Sequence, residues 1–281
     1  MKLGLGEWGL RELSLEEHYK MAQRLGLKYL ELGIGSAVPG QIPVGVTQEW
    51  IDKLNGYSEK YGVLTPFMCF GNDFTVEDES EIASKADEII SDLSACSKIG
   101  VTHIRLFSGF SSPEDIAGKR WDLLVSSLNR VARACKEYGL QISIETHGRL
   151  EPKGDGVMHM PTTSTDKSCI AKLLEQTEPN IGINYDPGNL KPVQSGDVIS
   201  YLPVIGERLN YCHLKDWRQL DNGSWIPVAI GDVADTTIDW ERLFETIEFD
   251  GVYLIEYEQP KDIEDGFRRS LSFISKFVEI C

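Results

Sequence analysis

Three carboxylates and a histidine stand where apolar runs end. They are Glu145 in "QISIETHG" (141–148), Asp186 in "IGINYD" (181–186), His213 in "LNYCHLKD" (209–216) and Glu256 in "VYLIEYE" (252–258). An isolated carboxylate at the buried end of a strand is costly, and it either neutralises or finds a cation. Three of them gathered at one place would repel one another, and a divalent cation resolves that conflict. Three oxygen donors and one imidazole nitrogen make a hard-to-borderline set. Such a set favours Mn²⁺ or Mg²⁺ and accepts Co²⁺ or Zn²⁺. A six-coordinate ion would keep about two positions for substrate oxygens or water. Taken singly, each residue also suits a helix N-cap, a surface ion pair or a hydrogen-bonded core histidine. Their recurrence on four successive strand ends carries the metal expectation.

The other strand ends add Glu31, His103, Arg105, His147, Lys215, Asp216 and Glu258. Alternation along a strand puts Glu145 with His147, and His213 with Lys215, on common faces. Arg105 is expected either to bind a substrate oxygen or to pair with Glu31. In "NYDPGNL" (184–190), Pro187 and Gly188 are expected to turn the chain away from the strand and leave Asp186 at its tip.

These residues need a scaffold that brings strand ends together. Eight short, nearly continuous apolar runs read as strands covered on both faces: 2–8, 29–35, 64–70, 102–109, 141–148, 181–186, 209–216 and 252–258. Helical patterns lie between them. "SLEEHYKMAQRLG" opens with a Ser14/Glu17 capping box and stops at Gly26. Further helices fit 47–62, 78–99, 120–139, 165–176, 196–205, 238–248 and 262–280. Eight βα units in 281 residues match a TIM (β/α)₈ barrel, an α/β fold, as one domain over 1–281. A doubly wound sheet is the competitor, but "GLGEWG" lacks the G-x-G-x-x-G spacing of its phosphate turn. Barrel chemistry sits at the C-terminal ends of the strands, where the ionisable residues above are found.

Composition narrows the partners. Net charge is −16, which repels phosphate backbones and anionic membrane surfaces, and no local basic patch offsets it. No apolar run approaches the roughly 20 residues that span a bilayer. "MKLGLGEWGL" carries Glu7 and has no continuous apolar segment, so it does not read as a secretory signal. None of the six cysteines forms a C-x-x-C pair, and reduced thiols in a cytoplasmic protein are expected.

At its candidate ligands the chain resembles the xylose isomerase-like TIM barrels, the sugar phosphate isomerase/epimerase superfamily. The carrying pieces are "ISIETHG", "NYDPGNL", "YCHLKDW", "PVAIGDVADTTIDW" and "YLIEYE". The resemblance implies that Glu145, Asp186, His213 and Glu256 are the metal ligands. It also implies that Glu145 and Glu256 flank the substrate and are the catalytic proton carriers. Ketose 3-epimerases often carry a His shortly after the strand 6 Asp, where this chain has Asn189. They also carry an Arg after the strand 7 His, where this chain has Lys215 first and Arg218 later. "HLKD" is closer to the inosose dehydratase-like and 3-keto-sugar epimerase-like members.

The implied chemistry is proton transfer beside a carbonyl of a keto-sugar through an enediolate, with Mn²⁺ the favoured ion. Return of the proton on the other face is epimerisation, return at the neighbouring carbon is isomerisation, and loss of a β-hydroxyl is dehydration. A dehydratase of the inosose or dehydroshikimate type is therefore the alternative to an isomerase. Glu31, Arg105, His147, Asn189, Lys215 and Arg218 are the candidate substrate-binding residues. The loop 148–164, with Met158, His159 and Met160, is a candidate lid, and Trp8 and Trp217 are candidate sugar-stacking walls. The expected partner is a small sugar or polyol, with neither nucleic acid nor membrane, and the family analogy leaves room for a homo-oligomer. Two rival classes share the scaffold: a DNA-repair nuclease on the same barrel, and a metal-free sugar-binding barrel. Only five histidines and an acidic surface oppose the nuclease.

Overall fold

The structure, a computed structural model, describes residues 1–35, 42–193, 197–232 and 238–280. Eight parallel strands close into a barrel in the order β1-β12-β9-β8-β5-β4-β3-β2. They are β1 (Lys2–Leu5), β2 (Tyr29–Ile34), β3 (Leu64–Phe70), β4 (His103–Leu106), β5 (Gln141–Glu145), β8 (Ile181–Tyr185), β9 (Leu209–Leu214) and β12 (Val252–Ile255). This is the TIM barrel that the alternation predicts. Its helices are α1 (Leu15–Arg24), α2 (Gln48–Tyr61), α3 (Glu79–Ile99), α4 (Lys119–Glu137), α5 (Lys167–Gln176), α6 (Pro187–Val193), α7 (Leu202–Ile205), α8 (Trp240–Thr246) and α9 (Ile263–Ile274).

The two faces of each strand divide the labour. One set of side chains, among them Leu30, Leu32, Ile104, Ile142, Ile144 and Ile183, packs outward with the helices in the large core. The alternate set points into the barrel. At its bottom Phe67, Tyr211 and Leu254 form a separate apolar plug, with Phe67 and Tyr211 stacked at 4.2 Å. Above the plug the same alternation continues as Tyr211–His213 on β9 and Leu254–Glu256 past β12. Polar side chains therefore start where the plug ends.

Several expectations shift in detail. The barrel strands stop earlier than the apolar runs: β1 ends at Leu5, β4 at Leu106 and β12 at Ile255. The residues beyond them turn into the mouth. Ser14 makes no side-chain cap, and the Glu17 carboxylate that would complete the capping box pairs with Lys20 at 2.8 Å. The helix read over 196–205 is a 3₁₀ turn at Val198–Tyr201 followed by α7, and residue 196 lies outside the described residues. The helices read over 238–248 and 262–280 shorten to α8 and α9.

The loop 148–164 is a hairpin rather than an irregular segment. It holds β6 (Arg149–Lys153) and β7 (Gly156–Met160). β7 pairs with β11 (Trp225–Val228), and β11 with β10 (Asp216–Gln219), giving a four-stranded antiparallel sheet at the C-terminal side of the barrel. Among the described residues Cys69, Cys96, Cys135, Cys169 and Cys212 are free thiols; Cys281 lies outside them. Positions 233–237 of "PVAIGDVADTTIDW" also lie outside. Among the described residues no helix is long and apolar enough to cross a membrane.

Candidate metal centre

Four consecutive barrel strands, β5, β8, β9 and β12, deliver Glu145, Asp186, His213 and Glu256 to one point. Their ligand atoms all lie within 4.8 Å of one another, and all four residues are buried. Each arrives by a simple local rule. Glu145 is the last residue of β5, and Glu256 is the first after β12. His213 lies two residues beyond Tyr211 on the inward face of β9. Asp186 follows β8 directly.

Asp186 combines two roles that compete in the sequence. Pro187 opens α6, where its missing N–H costs nothing. Asp186 Oδ1 then accepts from the Asn189 backbone N–H at 3.1 Å, as an N-cap does. Oδ2 has no hydrogen bond and lies 3.3 Å from Lys215 Nζ. Gly188 lets α6 settle on β9: a Cβ there would stand 2.4 Å from the Lys215 carbonyl oxygen. "NYDPGNL" thus runs from the end of β8 into α6, a helix of about two turns whose capping residue also serves the cluster.

Charge is concentrated here. His213 Nδ1 lies 3.2 Å from Glu145 Oε1 and 3.8 Å from Glu256 Oε2. Its Nε2 lies 3.2 Å from the Tyr211 hydroxyl and 3.4 Å from Glu31 Oε2. Burial alone would strip the imidazole of its proton, but Glu256, Glu31 and Glu145 outweigh it and raise the pKa to about 10. Burial likewise works against ionised Glu145, yet Arg105 and His213 hold its carboxyl well below the usual range. For Asp186, burial prevails over Lys215 and lifts the pKa to about 6. Lys215 reaches Glu256 and lies 2.9 Å from Glu258 Oε1, and these carboxylates keep it charged against burial.

The residues present fit a divalent cation. The cluster already draws in a protonated imidazole and an ammonium group, so it demands positive charge. Its three carboxylates and one imidazole are the donors that hard-to-borderline divalent ions take. Glu31 supplies the outer support such a site needs: it faces His213 Nε2 and so leaves Nδ1 to the cluster.

A cavity of about 260 Å³ lies over these residues. At about 30 Å³ per water it has room for roughly nine waters, or a monosaccharide-sized ligand. Glu145, Glu256, Arg105, His147 and Lys215 line its polar part, and Trp8 lines its outer part. The remaining candidates fall elsewhere. Glu31 is fully buried behind the cavity, bonded to Arg105 Nε at 2.6 Å, while Arg105 also reaches Glu145. Asn189 is buried too, and its Nδ2 donates to Glu145 Oε1 at 3.1 Å. His147 leans edge-on against Phe107, with Nδ1 unpartnered. Arg218 is exposed on β10, away from the cavity lining.

Of the lid candidates, His159 is buried with both ring nitrogens unpartnered and stands edge-on to Trp217 at 4.6 Å. Trp217 is buried under it and does not line the cavity; Trp8 does, and is 39% exposed. Met158 and Met160 are half-buried and are not part of the lining. Two lining residues with ionisable side chains have no place among the sequence candidates: Glu7, after β1, and Cys69, on β3. Glu7 could have been found by the same strand-end rule that picks out Glu145 and Glu256.

Comparison with known proteins agrees with this architecture. A region of an inosose dehydratase from Geobacillus thermodenitrificans is 28% identical over 181 residues, covering 58% of this chain and 55% of that protein. The chain thus spans about half the length of the curated relatives it matches. The IolI protein, solved with a bound zinc atom, superposes with a TM-score of 0.76 at 17% identity, covering 99% of this chain and all of that one. The 3-keto-D-glucoside 4-epimerase of E. coli gives 0.70 at 14%, covering 98% and 99%. At these identities the structural likeness is one of fold. The family model for the xylose isomerase-like TIM barrel matches residues 19–277, nearly the whole chain that builds the barrel and its mouth. The chain belongs to the xylose isomerase-like TIM barrel family.

Proposed function

We propose that the protein is a divalent-metal-dependent enzyme that removes a proton next to the carbonyl of a keto-sugar or keto-polyol and returns it as an epimer or isomer. The observation that carries this reading is the convergence of Glu145, Asp186, His213 and Glu256 within 4.8 Å at the floor of the cavity. A divalent ion held by these four residues, with Mn²⁺ the first candidate and Mg²⁺, Co²⁺ or Zn²⁺ also suited to the donors, would polarise the substrate carbonyl and acidify the adjacent C–H.

The chain's own residues supply the rest. Glu145 is kept ionised by Arg105 and is therefore available as a base. Asn189 and Arg105 fix its two oxygens, which orients it at no cost during the reaction. Glu256, across the cluster and paired with Lys215, is the second proton carrier. Phe107 and Trp8 on the outer lining keep water from the reacting carbon.

A second reading is loss of water from the same enediolate. It is favoured by the sequence likeness to an inosose dehydratase and by the Lys215 ammonium in the cavity lining, which could protonate a departing β-hydroxyl. One experiment separates the two. Mn²⁺-loaded protein is incubated in D₂O with ketoses, 3-keto-sugars and inososes, and products are followed by NMR and mass. Deuterium at the α-carbon without water loss is the expected result for an epimerase or isomerase. Net loss of water assigns a lyase. No exchange and no water loss with every compound would defeat both.

A further inference from the structure

Glu7 is a buried carboxyl that the proposed reaction does not use. It follows β1 and lines the cavity beside Trp8 and Cys69. The residue is 3% exposed. Oε2 accepts the Cys69 thiol at 3.6 Å, whereas Oε1 has no partner. Its backbone N–H donates to Glu31 Oε2 at 3.3 Å, which fixes the start of the loop after β1. Burial, with the charge of Glu31 next, pushes its carboxyl up to about 8, so it is an uncharged acid at neutral pH. A buried polar atom without a partner is costly, and a native structure that keeps one calls for a reason.

The cations of the lining point the same way. Arg105 is engaged by Glu31 and Glu145. Lys215 is engaged by Asp186, Glu256 and Glu258. Neither is left over to meet a negative charge on a ligand. A divalent ion would add positive charge, but the three carboxylates that would hold it already outweigh it.

Resting on the reading of the site given above, we infer that Glu7 is a further substrate-contacting residue that sets substrate class. Its unpartnered carboxyl hydrogen-bonds a hydroxyl of an uncharged polyhydroxy ketone, and the cavity disfavours a ligand that carries a carboxylate or phosphate. An uncharged acid group both donates and accepts, which suits a sugar hydroxyl. An anionic ligand would lie beside Glu256 and Glu258 with no side-chain cation left to meet it.

The test is calorimetric titration of Mn²⁺-loaded protein with an inosose, an uncharged cyclic polyhydroxy ketone, and with 3-dehydroshikimate, an anionic ketone of similar size. Wild type should bind the inosose at least about tenfold more tightly than the acid. E7L should lose about tenfold or more in inosose affinity, with its melting temperature kept or raised because an unpartnered polar group has gone. E7Q, an uncharged donor and acceptor in the same place, should restore affinity to within about threefold. Unchanged affinity in E7L overturns the role. So does a melting temperature that falls in both variants, which would make Glu7 structural. Wild-type preference for the acid, or no binding of the ketone, overturns the substrate class and does not depend on any variant folding. Deuterium exchange on the same inosose is followed in parallel: binding that depends on Glu7 without exchange would sink the proposed reaction and leave this inference standing.

Discussion

Glu145→Gln should lower α-proton exchange by a factor of about 10² to 10⁴, the usual worth of a positioned general base. The change keeps the side chain's volume and one of its oxygens. It removes the charge that Arg105 and His213 stabilise and the basic oxygen that would take the proton. Because Glu145 is also a candidate ligand, the assay is run at saturating Mn²⁺, with ion content measured on the same sample. A variant that holds its ion and loses exchange separates the base from the ligand. Full exchange in Glu145→Gln would remove it as an essential proton carrier.

The second large effect falls on stability. Arg105 is 4% exposed and joins Glu31 to Glu145 through different guanidinium nitrogens. Removing one partner of a buried ionic network leaves uncompensated charge and costs about 3–5 kcal/mol. Arg105→Leu leaves two such carboxylates, so its melting temperature should fall by on the order of 10 °C for a chain of this size. Arg105→Lys should recover little, because one ammonium cannot reproduce a fork that serves two carboxylates at once. Thermal unfolding followed by circular dichroism checks both, and an unchanged melting temperature in Arg105→Leu would show that the network carries no net stability. Saturating Mn²⁺ should reduce the loss, since an ion that binds only the folded state adds stability and takes over the compensation of Glu145.

The barrel was legible because its signal is repeated. Apolar runs alternate with amphipathic helices along the chain, and each strand carries the same code of outward aliphatic and inward alternate residues. The four-residue cluster was legible for the same reason, since its members occupy equivalent places at strand ends. Asp186 shows where single-residue reasoning blurs: capping and cluster membership are alternatives on paper, but a carboxylate has two oxygens and this one uses them differently. Pro187 and Gly188 were read as a turn, yet a proline suits the first helical position and the glycine is needed for close packing on Lys215.

What stayed hidden depends on pairing between distant segments. Pairing of Arg105 with Glu31 is one of its two sequence readings and is the one found, but the sequence does not show that the pair also backs up His213 and Glu145. The hairpin over 149–160 has no alternation to reveal it: every residue of β6 is exposed and Pro152 interrupts it. Its sheet forms through β7 and β11, Val157 opposite Trp225, a contact between residues far apart in sequence. Glu7 follows β1 much as Glu256 follows β12, so the strand-end rule reaches it too; what the sequence does not show is that its carboxyl keeps an oxygen without a partner.

Everything proposed for the site depends on a divalent ion held by Glu145, Asp186, His213 and Glu256. Chelator-stripped protein, dialysed to equilibrium against Mn²⁺ and analysed for metal, tests it most directly, with Asp186→Asn as the companion sample. Wild type should bind one ion per chain, and folded Asp186→Asn should bind it about 10–100-fold more weakly or not at all. A folded wild-type chain that takes up no Mn²⁺, Mg²⁺, Co²⁺ or Zn²⁺ would contradict the account, and unchanged binding in Asp186→Asn would remove Asp186 from the ligand set.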